Sequence, residues 1–270
     1  MGISKLFLNE IIQICSFLDS EKINLDKKEN LIFLGDQDIR VNLKQIINSK
    51  NIYKLETSKY QKCLNYKKEV SLYDLFPSKL SSKVIIKTID INGNPDLKID
   101  ITNSEDLKKE FLKNGSVSQF IDIGTIEHVI DPYKALCNIS KLLKVNGIVS
   151  HLSPCSSYLN HGYYCISPQL FYDFYKNKGY EILRFNTLSY IGNYDSNFSL
   201  CINLKYDHQV EISGLRATLK QKKWKKFVDS LIRRLLLRFC RETYVSFTAI
   251  KNLEKTKNEY TLYQKQYEKN

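Results

Sequence analysis

Two short blocks, Gly124-Thr125-Ile126-Glu127-His128 and Asn160-His161-Gly162-Tyr163-Tyr164, carry the side chains of this chain best suited to moving a proton. An imidazole near its ordinary pKa can take a proton from a hydroxyl at neutral pH, and a neighbouring carboxylate can orient it or raise its basicity. His128 and His161 are therefore the general-base candidates, with Glu127 as the supporting acid. Adjacent residues do not usually face each other on regular structure, so Glu127 and His128 are not read as a dyad. Glu127 capping the next helix and His128 filling a polar pocket is the competing reading. In the second block, Asn160 offers a polar contact to a substrate. Tyr163 and Tyr164 each present an apolar face and one hydroxyl, fit to stack on a sugar ring, to line an acceptor pocket or simply to pack.

A second set of candidates is acidic. The β-branched run Val84 to Ile91 carries Asp90 at its end, before the turn Asn92-Gly93-Asn94-Pro95. A carboxylate there can accept hydrogen bonds from both hydroxyls of a ribose, or it can cap the turn. Asp100 stands near the end of the short run Leu97 to Ile101 and either meets a ligand or caps a helix beginning near Ser104. Gly35-Asp36-Gln37-Asp38 follows the apolar run Leu31 to Leu34, where Gly35 allows a tight strand-to-helix turn.

These residues need a scaffold that brings strand ends together. Phe120 to Ile123 reads as a buried strand broken at Gly124, and Asp131-Pro132 opens a helix with Leu136, Ile139 and Leu143 on one face. After the Asn146-Gly147 stop, Ile148 to Leu152 is a further strand ended by Pro154. Ser167-Pro168 then starts a helix whose Leu170, Phe171, Phe174 and Tyr175 share a face, closed by Gly179. Such β-α-β-loop-α alternation belongs to a parallel α/β sheet. Tyr180 to Ile191 and Tyr244 to Ile250 have strand composition and are expected as its last two strands. Upstream, Ile3 to Leu18 reads as an amphipathic helix with Asn9, Glu10 and Gln13 on its polar side, Val41 to Ile47 as a helix, and Val70 to Phe76 as a segment ended by Pro77.

The pattern from Gly124-Thr125-Ile126-Glu127-His128-Val129-Ile130-Asp131-Pro132 through Asn146-Gly147 and Pro154 to Asn160-His161-Gly162-Tyr163-Tyr164 and Ser167-Pro168 resembles class I S-adenosylmethionine-dependent methyltransferases. More narrowly it resembles a bacterial branch associated with surface polysaccharide synthesis. The resemblance implies a Rossmann-like sheet, mostly parallel with the last strand antiparallel, flanked by helices on both faces. It also implies S-adenosylmethionine as cofactor, held by Gly35, Asp36, Asp90 (ribose), Asp100 (adenine amine), Gly124 and Thr125. A sugar or other small acceptor would then lie against Asn160, Tyr163 and Tyr164, with His128, His161 and Glu127 at the reacting hydroxyl or amine. The first loop departs from the family pattern by keeping a single glycine, Gly35, which leaves a non-catalytic binding or assembly module as the alternative.

Composition narrows the remaining classes. A chain of 270 residues with 43% hydrophobic content can bury a sizeable core. No apolar stretch reaches the roughly 18 to 20 residues of a membrane span, and the amino-terminal segment does not read as a signal peptide, so a cytoplasmic protein is expected. Seven scattered cysteines without a C-x-x-C pair read as free thiols, and four isolated histidines give no metal-site spacing, so no metal is expected. Neither G-x-G-x-x-G nor a phosphate-loop signature is present. The net charge of +12 is uneven: residues 214–241 carry ten Lys or Arg against one Asp. Trp224, Val228, Leu231, Ile232, Leu235 and Phe239 fall on one side of that helical pattern, with Lys222, Lys223, Lys226, Arg233 and Arg234 opposite. Such a helix can rest on an anionic membrane surface or sit on the domain with its basic face in water. No nucleic-acid-binding motif accompanies it, so nucleic acid is not an expected partner. The organisation read from sequence is an amino-terminal helix and linker (1–30), a methyltransferase-like domain (31–252) with a basic helical insertion at about 208–241, and a polar tail (253–270).

Overall fold

The computed structural model describes residues 3–5, 7–19, 28–52, 70–111, 115–158, 160–191, 200–205, 210–213 and 242–252. The basic segment 214–241 and the tail 253–270 lie outside them, so the amphipathic-helix expectation is not addressed.

The described strands are β1 (Glu29–Leu34), β2 (Val84–Asp90), β3 (Leu97–Lys98), β4 (Val117–Ile123), β5 (Leu143–Ser156), β6 (Tyr180–Ile191), β7 (Leu200–Lys205), β8 (Val210–Ser213) and β9 (Glu242–Lys251). They form one sheet in the order β3-β2-β1-β4-β5-β9-β6-β7-β8. The pairs from β3 to β5 are all parallel, while β9 runs antiparallel between β5 and β6. This is the Rossmann-like, mostly parallel arrangement expected from the sequence, with the last strand in the chain reversed. Two antiparallel strands, β7 and β8, extend the edge beyond β6, so 210–213 is strand where the helical insertion was expected to have begun.

Side chains of alternate strand residues point to opposite faces, and both faces are covered. Leu31, Phe33, Ile121, Ile123, Ile148 and Leu152 join one core with helix α1 (Leu8–Cys15), α2 (Leu43–Ile52), the 3-10 turn Leu72–Leu75 and α3 (Ser78–Ser81). Ile32, Leu34, Phe120 and Val149 join the other with α4 (Ser104–Glu110), α5 (Pro132–Leu142) and α6 (Pro168–Asn177). Each fully buried Leu, Ile or Phe contributes roughly 1.5–3 kcal/mol, so two such cores fix the strand ends firmly. Local signals set the helix starts: the Asp131 side chain accepts from Lys134 N at 2.9 Å and Pro132 takes the first position of α5.

Four sequence expectations need correction. The amino-terminal helix is shorter than 3–18, because Ile3 instead bridges to Ile39 in parallel register. Glu10 is not on a solvent face: it is buried, held at 2.6 Å by both Nε and Nη2 of Arg184, with Ser246 Oγ donating to it as well. β3 stops at Lys98, and Asn103, not Asp100, caps α4 by accepting from the Glu105 and Asp106 amides. β5 continues through Pro154 to Ser156, because the register with β9 shifts between Pro154 and Ser156 and a bulge tolerates the missing N–H.

Candidate active site

The carboxyl ends of β1, β2, β4 and β5 open on a cavity of about 1000 Å³. Ligand sites span roughly 300–1000 Å³, so this one has room for a nucleoside-sized cofactor together with a small acceptor. Its position, beyond the carboxyl ends of parallel strands on either side of β1 and β4, is where open α/β sheets bind ligands.

One side of the cavity is built around Gly35. Its N–H donates to Ile89 O at 2.7 Å, tying the end of β1 to the end of β2. Its φ of +90° and the 2.4 Å that would separate a Cβ from Thr125 Oγ1 leave no place for a side chain. Thr125 completes this seam by donating from Oγ1 to Leu34 O at 3.0 Å. Asp90 accepts from Asp36 N at 2.7 Å through Oδ2 and from Asn92 N at 3.0 Å through Oδ1. It therefore caps the turn and also staples two loops, and each oxygen retains a lone pair for a further donor. Asp36 in turn accepts from Asn94 N at 2.8 Å. Asp100 accepts from the amide and hydroxyl of Thr102, both at 2.8 Å. Asp36, Asp90 and Asp100 all line the cavity, as do Gly35, Gly124 and Thr125.

The turn after β4 is anchored by a group that sequence reasoning overlooked. Asp122, fully buried, accepts from the Thr125 and Ile126 amides at 3.1 and 3.2 Å through Oδ1. Its Oδ2 lies 2.8 Å from His151 Nδ1, and His151 Nε2 lies 2.8 Å from the Tyr175 hydroxyl. A buried carboxylate is tolerated when its lone pairs are filled in this way, and here it fixes the turn that presents Thr125 to His128. A signal was available. Asp122 and His151 are polar residues within apolar strand runs, and they face each other in the β4–β5 register.

Glu127, His128 and His161 meet where the turn after β4 faces the loop after β5. Glu127 lies in a 3-10 turn (Ile126–His128) with its side chain fully buried, so it caps nothing. His161 Nε2 stands 3.7 Å and His128 Nε2 4.0 Å from Glu127 Oε1, and the two imidazole rings meet edge to face at 4.8 Å. The loop after β5 is pressed onto this turn because Tyr163 N and Tyr164 N both donate to Glu127 O, at 2.9 and 3.2 Å. Gly162 makes the approach possible, since a Cβ there would lie 2.9 Å from Glu127 Cγ. Burial, reinforced by the charge of Asp122, pushes the Glu127 carboxyl up to about 8. Burial also lowers both imidazoles, His161 to about 4 with His128 adding to the effect. At neutral pH the imidazoles are thus uncharged and able to accept a proton, and the acid beside them does not raise their basicity as expected. Asn160, His128, His161 and Tyr163 line the cavity. Tyr164 is not among the lining residues; its hydroxyl donates to Ile130 O at 2.8 Å and ties the loop down.

No family model matches the chain, and no curated protein matches it. Solved structures resemble it at low identity. A SAM-dependent methyltransferase from Archaeoglobus fulgidus shares 11% identity over 89% of this chain and 94% of its own, with a TM-score of 0.43. Geranyl diphosphate methyltransferase, solved in complex with SAM, shares 8% identity over 92% of this chain and 85% of its own, with a TM-score of 0.38. The [4+2]-cyclase SpnF shares 12% identity over 91% and 81%, also at 0.38. At these values the chain is similar to such proteins in outline.

Proposed function

We propose that this chain transfers a methyl group from S-adenosylmethionine to a hydroxyl or amine of a small-molecule or glycan acceptor. The observation that carries the reading is the acidic rim at the glycine turn. The charged residues lining the cavity are Asp36, Asp90, Asp100 and Asp131 against one ammonium, that of Lys134. Carboxylates accept hydrogen bonds and attract cations, so this rim suits a ligand offering ribose hydroxyls, an amine and positive charge, and it disfavours a pyrophosphate.

S-adenosylmethionine supplies, when bound, an electrophilic methyl on a cationic sulfur. Gly35 would let the backbone approach such a ligand, Asp90 would accept from its ribose, and Asp100 would accept from its adenine amine. His161 or His128 takes the proton from the acceptor as the new bond forms, and an imidazole lowered by burial is a weak base. Most of the rate then comes from holding the acceptor in line, worth up to roughly 7–11 kcal/mol in well-oriented reactions. Exposed Tyr163 on the cavity wall offers a stacking face to a sugar ring.

Incubating the chain with methyl-labelled S-adenosylmethionine and a panel of sugars and glycan precursors tests this reading. Label should enter an acceptor, and His161→Ala should reduce that transfer at least tenfold. One observation favours the alternative of a binding module without catalysis. Gln37 Nε2 turns back to Leu34 O at 2.7 Å, and Asp36 is occupied with Asn94, so side chains fill part of the first loop. Cofactor binding with no transfer to any acceptor would select that alternative. The basic segment 214–241 would bring the site to a membrane-linked acceptor; unchanged binding to anionic vesicles after its deletion would refute that role. No helix among the described residues is long and apolar enough to cross a membrane.

A further inference from the structure

We propose that Glu127, His128 and His161 form a binding site for a divalent first-row transition ion in the wall of the cavity. Each contributes one ligand atom, and the three atoms lie within 4.8 Å of one another. For metal–ligand bonds of about 2.1 Å, tetrahedral donors stand roughly 3.4 Å apart. The observed 3.7 and 4.0 Å from the carboxylate to the two imidazoles therefore close by small side-chain rotations. His128 is free to make its share, since its side chain is 40% exposed.

Two independent observations point to a missing ligand. The Glu127 side chain is fully buried, yet neither carboxylate oxygen has a hydrogen-bond partner among the described residues. His161 Nε2, also buried as an atom, has none either, although it faces that carboxylate. Leaving an acid and an imidazole unpaired against each other costs free energy that a shared cation would recover. The surrounding loops are built to hold this geometry. Both amides after Gly162 grip the Glu127 carbonyl, and the Tyr158 ring meets His161 edge-on at 4.2 Å.

The donor set decides the kind of ion. Two imidazoles and one carboxylate suit Zn²⁺ and its first-row neighbours, whereas Mg²⁺ and Ca²⁺ prefer oxygen throughout. Three protein ligands leave coordination positions open, and His128, His161 and Asn160 line the cavity beside them. In the methyl-transfer reading the ion would replace the imidazoles as the activating group: an acceptor hydroxyl bound at an open position would lose its proton to solvent water more easily, as metal-bound water does. That role rests on the proposed function, but the binding of the ion does not. The site was not legible from residue spacing because α5 and β5 separate the two histidines along the chain.

The untagged full-length chain, stripped with chelator, is titrated separately with Zn²⁺, Co²⁺ and Mg²⁺. We expect one Zn²⁺ per chain at micromolar affinity or tighter, visible Co²⁺ absorption bands of a nitrogen- and oxygen-ligated site, and no competition by Mg²⁺. His161→Ala and His128→Ala should each weaken Zn²⁺ binding roughly 100-fold while leaving the unfolding temperature of the stripped chain within a few degrees. These partly exposed positions keep the test valid even where Glu127→Gln fails to fold. Absence of Zn²⁺ binding by the folded chain overturns the proposal, and so does binding that survives both substitutions. S-adenosylmethionine titrated in the presence of chelator reports on the methyltransferase reading separately.

Discussion

Single residues divide the cavity into two halves that can be perturbed apart. Gly35→Ala forces a side chain into a left-handed backbone position against Thr125 Oγ1, 2.4 Å from the new Cβ. We expect it to destabilise the fold by about 1–3 kcal/mol and to weaken cofactor binding at least tenfold, measured by thermal unfolding and calorimetry. Gly162→Ala meets Glu127 Cγ and O at 2.9 Å each and must lift the His161 loop. Here cofactor affinity should stay within about twofold while acceptor turnover falls at least tenfold, a split visible in steady-state kinetics. The acidic candidates were legible at this scale because each stands at the end of an apolar run. The contact between His161 and Glu127 was not: it depends on a carbonyl of one loop gripping two amides of another, which no spacing encodes. The part Tyr164 plays in tying the loop down was not legible either, since its hydroxyl donates to the Ile130 carbonyl of another segment.

Elements read well where a cap or breaker coincided with periodicity. Asp131-Pro132 starts α5 and the Tyr180–Ile191 strand has the expected limits. They read poorly where polar residues turned inward, as Glu10 on α1 does to meet Arg184. Lys50 on α2 is a similar case, fully buried and donating from Nζ to Phe76 O at 2.5 Å. Burial lowers this ammonium to about 8, with Cys15 and Asp74 acting in the opposite sense. The folded-state pKa lies below the unfolded value, so the associated stability is full above the unfolded pKa near 10.5 and is lost as pH falls through about 8. Relative to Lys50→Met, the wild-type chain should therefore gain roughly 1–3 kcal/mol between pH 7 and pH 10 in denaturant unfolding. A constant difference across that range would show that Lys50 does not change its charge state there.

At the scale of the whole molecule, the sheet accounts for the site. Two cores grip the central strands from opposite faces, so the loops at their carboxyl ends are held from below. An acidic rim and an imidazole pair thereby face one cavity, although they come from four strand ends far apart in sequence. The parallel order up to β5 followed from the alternation of strand and helix signals. The added edge strands β7 and β8 did not: Ile202-Asn203-Leu204-Lys205 and Val210-Glu211-Ile212-Ser213 do alternate apolar and polar residues, but runs this short do not stand out. The most direct test of the account is calorimetric titration of the full-length chain with S-adenosylmethionine and S-adenosylhomocysteine, beside Asp90→Ala. The account predicts micromolar binding of both, weakened at least tenfold by Asp90→Ala through loss of a charged acceptor. A chain that is folded by circular dichroism and binds neither compound would contradict it.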